Sequence, residues 1–262
     1  MKEVITEKMT VTDALEHIQD MFRFISKHGT VADYAGMHIS ISTDKYDLYH
    51  FKLAKFVTIM DIDHLRDYFP DRGHVGNLTQ NVSDIIKKNI FDVMLRHVLK
   101  NERTLMPVIK DLDYAISTGV NREKYQTINF GDYHISKGRI ELRFFGGENY
   151  HERYEEIVTH LLRALYLLNF AYTDEHNKEY YKKLTKMANK TLMKYTGFSF
   201  SYIYSSMIKI AARVDMKEVL RKLGNEEELP DKEMKLFRTY FGKEYGEIIQ
   251  DFYVAAINSG FV

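Results

Sequence analysis

Apolar residues in this chain recur every three or four positions almost throughout, but every two positions in two short stretches, 36–42 and 125–145. That switch constrains the fold more than any other feature, because a period near 3.6 builds a helix face and a period of two builds a strand face. Residues 10–28 predict an amphipathic helix with Leu15, Ile18, Phe22 and Ile25 on one side, a cap at Thr10 or Thr12 and a stop at Gly29. Residues 36–42 alternate strictly and predict a strand. Helical spacing returns over Lys45–Met60 and Asp84–Lys100, the second with Ile86, Ile90, Met94 and Val98 one turn apart. Pro107 and Gly119 punctuate a further short helix. Tyr125–Phe130, Asp132–Ile135 and Arg139–Phe145 then read as consecutive antiparallel strands, turned at Gly131 and Gly138. Beyond Gly146-Gly147 the pattern is helical to the end, with Ile157, Leu161, Leu165, Leu168 and Tyr172 as one buried stripe.

Strands and helices do not alternate in this order, so the expected class is α+β with an antiparallel sheet packed with helices. The expected division is a sheet-bearing domain over 1–173 and a helical extension over 174–262, where the composition becomes richer in Lys and Tyr. Lys plus Arg and Asp plus Glu balance at 37 each, which argues against nucleic acid as a partner and leaves any charged ligand to a local site. The absence of cysteine excludes disulfides, thiolate metal sites and a Cys nucleophile, and fits a reducing compartment. No run of about 18 apolar residues is present, and the N-terminus lacks the basic-then-apolar order of a signal peptide. The expectation is a cytoplasmic protein with no membrane span.

On a strand, side chains two apart share a face. His38, Ser40 and Ser42 therefore lie opposite Met37, Ile39 and Ile41, and Arg139, Glu141 and Arg143 opposite Ile140, Leu142 and Phe144. Glu141 between two arginines stays ionised. A carboxylate with a neutral imidazole suits Mg²⁺ or Mn²⁺ when phosphate oxygens complete the shell, and guanidinium forks match phosphate. The same alternation also describes any half-exposed sheet, with Arg-x-Glu-x-Arg as surface ion pairs worth about 0–1 kcal/mol.

Ala35-Gly36-Met37-His38-Ile39-Ser40-Ile41-Ser42 resembles the glycine–methionine–histidine strand of the glutamine synthetase superfamily. Arg139-Ile140-Glu141-Leu142-Arg143-Phe144, followed by a long helix, resembles its arginine–glutamate–arginine strand. Within the superfamily the chain is most similar to the amidoligases, the carboxylate–amine ligase branch, above all those of large tailed phages. There Glu3-Val4-Ile5-Thr6, the helix to Gly29, the Gly-x-His strand, the Tyr125–Asn129 segment and the Glu-x-Arg-Phe strand follow in this order. The likeness implies a sheet of the glutamine synthetase catalytic type. It implies His38 and Glu141 as metal ligands, Arg143 on the transferring phosphate, Arg139 on the nucleotide phosphates and Glu3 as a further acidic group facing the site. Ser40 and Ser42 would face the nucleotide, although Ser40 stands where many family members have a second histidine. ATP and Mg²⁺ (or Mn²⁺) would be the cofactors, and a small-molecule or peptide carboxylate would become an acyl phosphate that an amine attacks.

The family's first strand carries a Glu-x-Glu pair that has no counterpart in Met1-Lys2-Glu3. The resemblance therefore implies a truncated or processed form, a homo-oligomer or partner chain that completes the sheet, or an inactive fold kept as a phage particle or assembly component. Its place would be the host cytoplasm or the virion.

Three further features stand outside that set. Lys178, Lys182, Lys186, Lys190 and Lys194 recur every four residues beside Lys183, which suits a solvated helix face or a phosphate backbone. His64 and His74 bracket a loop that, with Asp61, Asp63, Asp67 and Asp71, could chelate a metal, at a spacing that fits no metal template. Gly146-Gly147-Glu148-Asn149-Tyr150-His151 is either a tight strand-to-helix turn or an anion cradle at a helix N-terminus. No Gly-x-Gly-x-x-Gly, P-loop or nucleophile elbow is present.

Overall fold

A computed structural model describes residues 6–33, 35–42, 51–60, 68–70, 78–120, 127–130, 139–225 and 227–258. Among these the chain is mainly helical with a small three-stranded antiparallel sheet, an α+β arrangement. It forms two compact units: Met1–Phe51, Met60–Leu78 and Asn121–Thr173 make the first, and Lys52–Ile59, Thr79–Val120 and Asp174–Val262 the second.

The first unit opens with α1 (Val11–His28). Thr10 caps it, its hydroxyl accepting from the Asp13 N–H at 3.2 Å and donating to the Asp13 carboxylate at 2.7 Å. Ile18 and Phe22 are buried, and Phe22 meets the rings of Tyr150 and Tyr154 edge-on at 5.7 and 6.3 Å. Leu15 and Ile25 are only half-buried, so the buried stripe is narrower than the periodicity predicts.

Three strands follow: β1 (Gly36–Ile41), β2 (Ile128–Asn129) and β3 (Ile140–Gly146), in the order β1-β3-β2. Of the three strands expected after Tyr125, Asp132–Ile135 lies outside the described residues, as do Tyr125, Gly131 and Gly138. Ile41, Ile128, Phe130, Ile140 and Leu142 are buried. The β1–β3 register slips once, with Met37 opposite Phe145 but Ile39 opposite Leu142. His38 thus faces two residues of β3, a bulge that re-aims the side chains beside it. Simple alternation puts Phe144 alone on the apolar face, whereas Phe144 and Phe145 both reach Phe69, at 6.1 and 5.5 Å.

After β3 the chain turns through Gly146 (φ 138°) and Gly147 (φ 98°), a region that L side chains disfavour. A short 3₁₀ turn (Tyr150–Glu152) precedes α5 (Tyr154–Phe170). The buried row of α5 runs through Ile157, Leu161, Ala164 and Leu168; Leu165, expected in it, is half-buried, and the smaller Ala164 takes the inner position.

In the second unit, α2 (Leu53–Met60) covers the end of the helix expected over Lys45–Met60; Phe51 and Lys52, expected in it, are not helical, and 45–50 lie outside the described residues. Helix α3 (Leu78–Leu99) buries Ile86, Ile90, Met94 and Val98, as their spacing predicts. Helix α4 (Leu105–Gly119) starts two residues ahead of Pro107, because a first-turn proline has no intrahelical N–H bond to lose. The helices α6 (Asn177–Thr196), α7 (Phe200–Ala211), α8 (Met216–Gly224), α9 (Asp231–Phe241) and α10 (Tyr245–Asn258) complete it. Contacts far apart in sequence join them. The Tyr180 hydroxyl donates to Asp113 at 2.8 Å, the Tyr204 hydroxyl to the Glu102 carbonyl at 2.9 Å, and Phe91 meets Phe252 edge-on at 5.1 Å. Among the described residues no helix is long and apolar enough to cross a membrane.

Candidate functional site

The centre of the sheet places one carboxylate among three polar partners. In the register, Glu141 of β3 stands between Ser40 of β1 and Asn129 of β2, so the three form a row across the sheet. Asn129 donates from Nδ2 to Glu141 Oε2 at 2.9 Å. Arg143, two residues along the same face, donates from Nε to Oε2 at 3.0 Å and from Nη2 to Oε1 at 3.3 Å. His38 Nδ1 lies 3.2 Å from Oε1.

The surroundings decide the electrostatics. Side-chain exposure is 10% for Arg143 and 17% for Glu141, too low for the surface ion pair that alternation alone allows. The His38 contact holds the Glu141 carboxyl down to about 2, helped by Asn129 and Arg143 and opposed by burial. The cluster is thus a carboxylate saturated by donors, with its negative charge balanced by one guanidinium.

His38, Glu141 and Arg143, singled out in the sequence, therefore meet in one cluster. Arg139 is half-buried one residue ahead of β3, and Ser40 and Ser42 are exposed at and just beyond the end of β1. Glu3 lies outside the described residues, as do His64, His74 and the aspartates between them. Asn129 is the member the sequence reading missed. Thr127 and Asn129 alternate with Ile128 and Phe130, but all four are buried, so alternation alone does not single Asn129 out. The Thr127 carbonyl accepts from the Arg143 N–H at 3.0 Å, which ties β2 to the cluster. The glycine turn after β3 does not deliver a helix N-terminus, because Asn149 takes a left-handed φ of 51° and α5 begins only at Tyr154.

The donor set fits one divalent cation better than two. Adjacent ligands on a Mg²⁺ or Mn²⁺ octahedron stand roughly 3 Å apart at metal–ligand distances of about 2.0–2.2 Å. The His38 Nδ1–Glu141 Oε1 separation of 3.2 Å is a hydrogen bond, so a cation held by both atoms would replace the proton between them. Oε1 also holds the looser pair of contacts, whereas Oε2 keeps the shorter bonds to Asn129 and Arg143. Among the described residues no group of three or more His, Asp or Glu side chains converges, so a two-ion site is not assembled from them.

Compared with protein-family models, with curated proteins and with solved structures, the chain has no match.

Proposed function

We propose that this protein is an ATP-dependent carboxylate–amine ligase of the amidoligase kind, built on a sheet of the glutamine synthetase catalytic type, with the Glu141 cluster as its phosphate-facing site. The observation that carries the reading is the convergence of His38, Asn129 and Arg143 on the single Glu141 carboxylate. His38 and Glu141 would hold Mg²⁺, which when bound neutralises charge on the ATP phosphates. Arg143 stabilises the charge on the phosphoryl group in transfer, its guanidinium plane fixed through Nε and Nη2. Arg139 binds nucleotide phosphate, Ser40 and Ser42 line the nucleotide side, and Asn129 orients Glu141. The carboxylate oxygen of the substrate attacks the γ-phosphorus of ATP with release of ADP. The amine then displaces phosphate from the acyl phosphate and loses its proton.

A second reading has one observation behind it: both oxygens of Glu141 are already bonded within the chain. On that reading the fold serves as a structural or interaction module without turnover. Titration calorimetry with Mg²⁺-ATP separates the two. The ligase reading expects binding heat that Glu141→Ala removes and Asn129→Ala weakens. No heat with the unaltered chain overturns it and leaves the module.

A further inference from the structure

We infer that the outer face of α6 is a docking surface for the phosphate backbone of a nucleic acid, independent of base sequence. In a chain whose charges balance, the charge is segregated. The twenty residues of α6 hold six lysines and one glutamate, leaving 31 basic against 36 acidic side chains elsewhere. Lys178, Lys182, Lys186, Lys190 and Lys194 are all exposed. Among the described residues none of them, nor half-buried Lys183, takes part in an ion pair or a ring contact.

The lysines form one continuous row that winds about 160° round the helix from Lys178 to Lys194. Lysines four residues apart advance about 6 Å along the axis and turn about 40° at each step. The buried row Tyr180, Leu184, Ala188, Leu192 and Thr196 also steps by four, so it rotates in phase with the lysines. The basic row stays on the outside for its full length, about 24 Å from Lys178 to Lys194.

The middle of the row is shaped as well as charged. Lys186 and Lys190 stand at the rim of a shallow groove of about 250 Å³ that Leu105, Thr185, Asn189, Phe200 and Ser201 complete. Asn189 is held there by accepting from the Phe200 N–H at 3.1 Å. A lipid surface fits less well, because interfacial helices bind by inserting their apolar face. The apolar face of α6 is used up in the core, with Tyr180, Leu184, Ala188 and Leu192 nearly inaccessible.

The test is fluorescence anisotropy with the full chain and a labelled 20-nucleotide single strand or 20-base-pair duplex, at 50 to 200 mM salt. Five phosphate contacts predict a log–log salt slope of roughly −3.5 to −4.5, which is about a hundredfold or more weakening over that range. The triple variant Lys182→Gln/Lys186→Gln/Lys190→Gln should bind at least tenfold more weakly, with its slope reduced by about 2 to 3 and its melting temperature unchanged. The matching Lys→Arg triple should retain binding. Binding by the Gln triple equal to that of the unaltered chain overturns the inference. So does the absence of binding at 50 mM salt, or tighter binding to phosphatidylserine vesicles than to either nucleic acid.

Discussion

At the scale of single residues, Glu141 and Arg143 hold each other in place. Glu141→Gln leaves a largely buried guanidinium without its counter-charge, and the expected loss is about 2–4 kcal/mol, read from the urea midpoint. The pH dependence follows from the lowered carboxyl. In the folded chain Glu141 titrates near 2 rather than at its ordinary 4.5, so its contribution is complete above about pH 4.5 and is lost as the pH falls towards 2. The stability gap between the unaltered chain and Glu141→Gln should therefore narrow steadily from pH 5 to pH 2; a gap that stays constant would contradict the assignment. A second buried contact has the opposite electrostatics: Tyr180→Phe removes the donor to Asp113, a carboxyl that burial pushes up. The expected cost is about 1–3 kcal/mol, again from urea unfolding. His38, Glu141 and Arg143 were legible because strand alternation is a local property. Asn129 was not, because its partnership with Glu141 depends on the β2–β3 register, which no residue of β2 specifies alone.

Elements show where local chemistry suffices and where it does not. Thr10→Ala removes a hydroxyl that serves both the N–H and the carboxylate of Asp13. It should lower the melting temperature by an amount equivalent to about 0.5–2 kcal/mol. Two glycines make a matched comparison. Gly147 sits at a φ of 98° at the end of β3, and Gly147→Ala should cost about 1–3 kcal/mol. Gly246 lies in the first turn of α10 with nothing within 4 Å of an added Cβ, so Gly246→Ala should stabilise by about 0.4–1 kcal/mol. Differential scanning calorimetry distinguishes the two by sign. The spacing of Ile86, Ile90, Met94 and Val98 located α3, since a core-facing stripe repeats with the helix itself. The inner position of α5 went to Ala164 instead of Leu165 because the packing partner, not helicity, sets which of two adjacent residues faces in.

At the scale of the whole molecule, the second compact unit gathers Lys52–Ile59 and Thr79–Val120 with everything after Thr173. The partners of Glu102, Asp113 and Phe91 are Tyr204, Tyr180 and Phe252, all beyond that point. A fragment ending at Thr173 should therefore lose more helix by circular dichroism than α6–α10 account for, because α3 and α4 lose their apolar cover. Retention of the full α3 and α4 signal would contradict this. The change in composition predicts a division at residue 174, whereas the units are discontinuous, because a composition shift reports only on neighbours in sequence. The return of an earlier helix pair to a later bundle is a matter of which apolar faces fit.

What the sequence determined by itself was everything carried by local repetition: the α+β class, the helix spacings, the strand alternation that grouped His38 with Ser40 and Glu141 with Arg143, and the four-residue lysine row. Tertiary structure alone decided the rest. It set the β-bulge opposite His38, brought Asn129 to the Glu141 carboxylate, and buried the Arg143–Glu141 pair. It also left the α6 lysines facing outward, without an ion pair among the described residues. The physical reason is the same in each case. A repeat fixes which residues share a face, whereas strand register, burial and ion pairing depend on contacts between segments far apart in the chain.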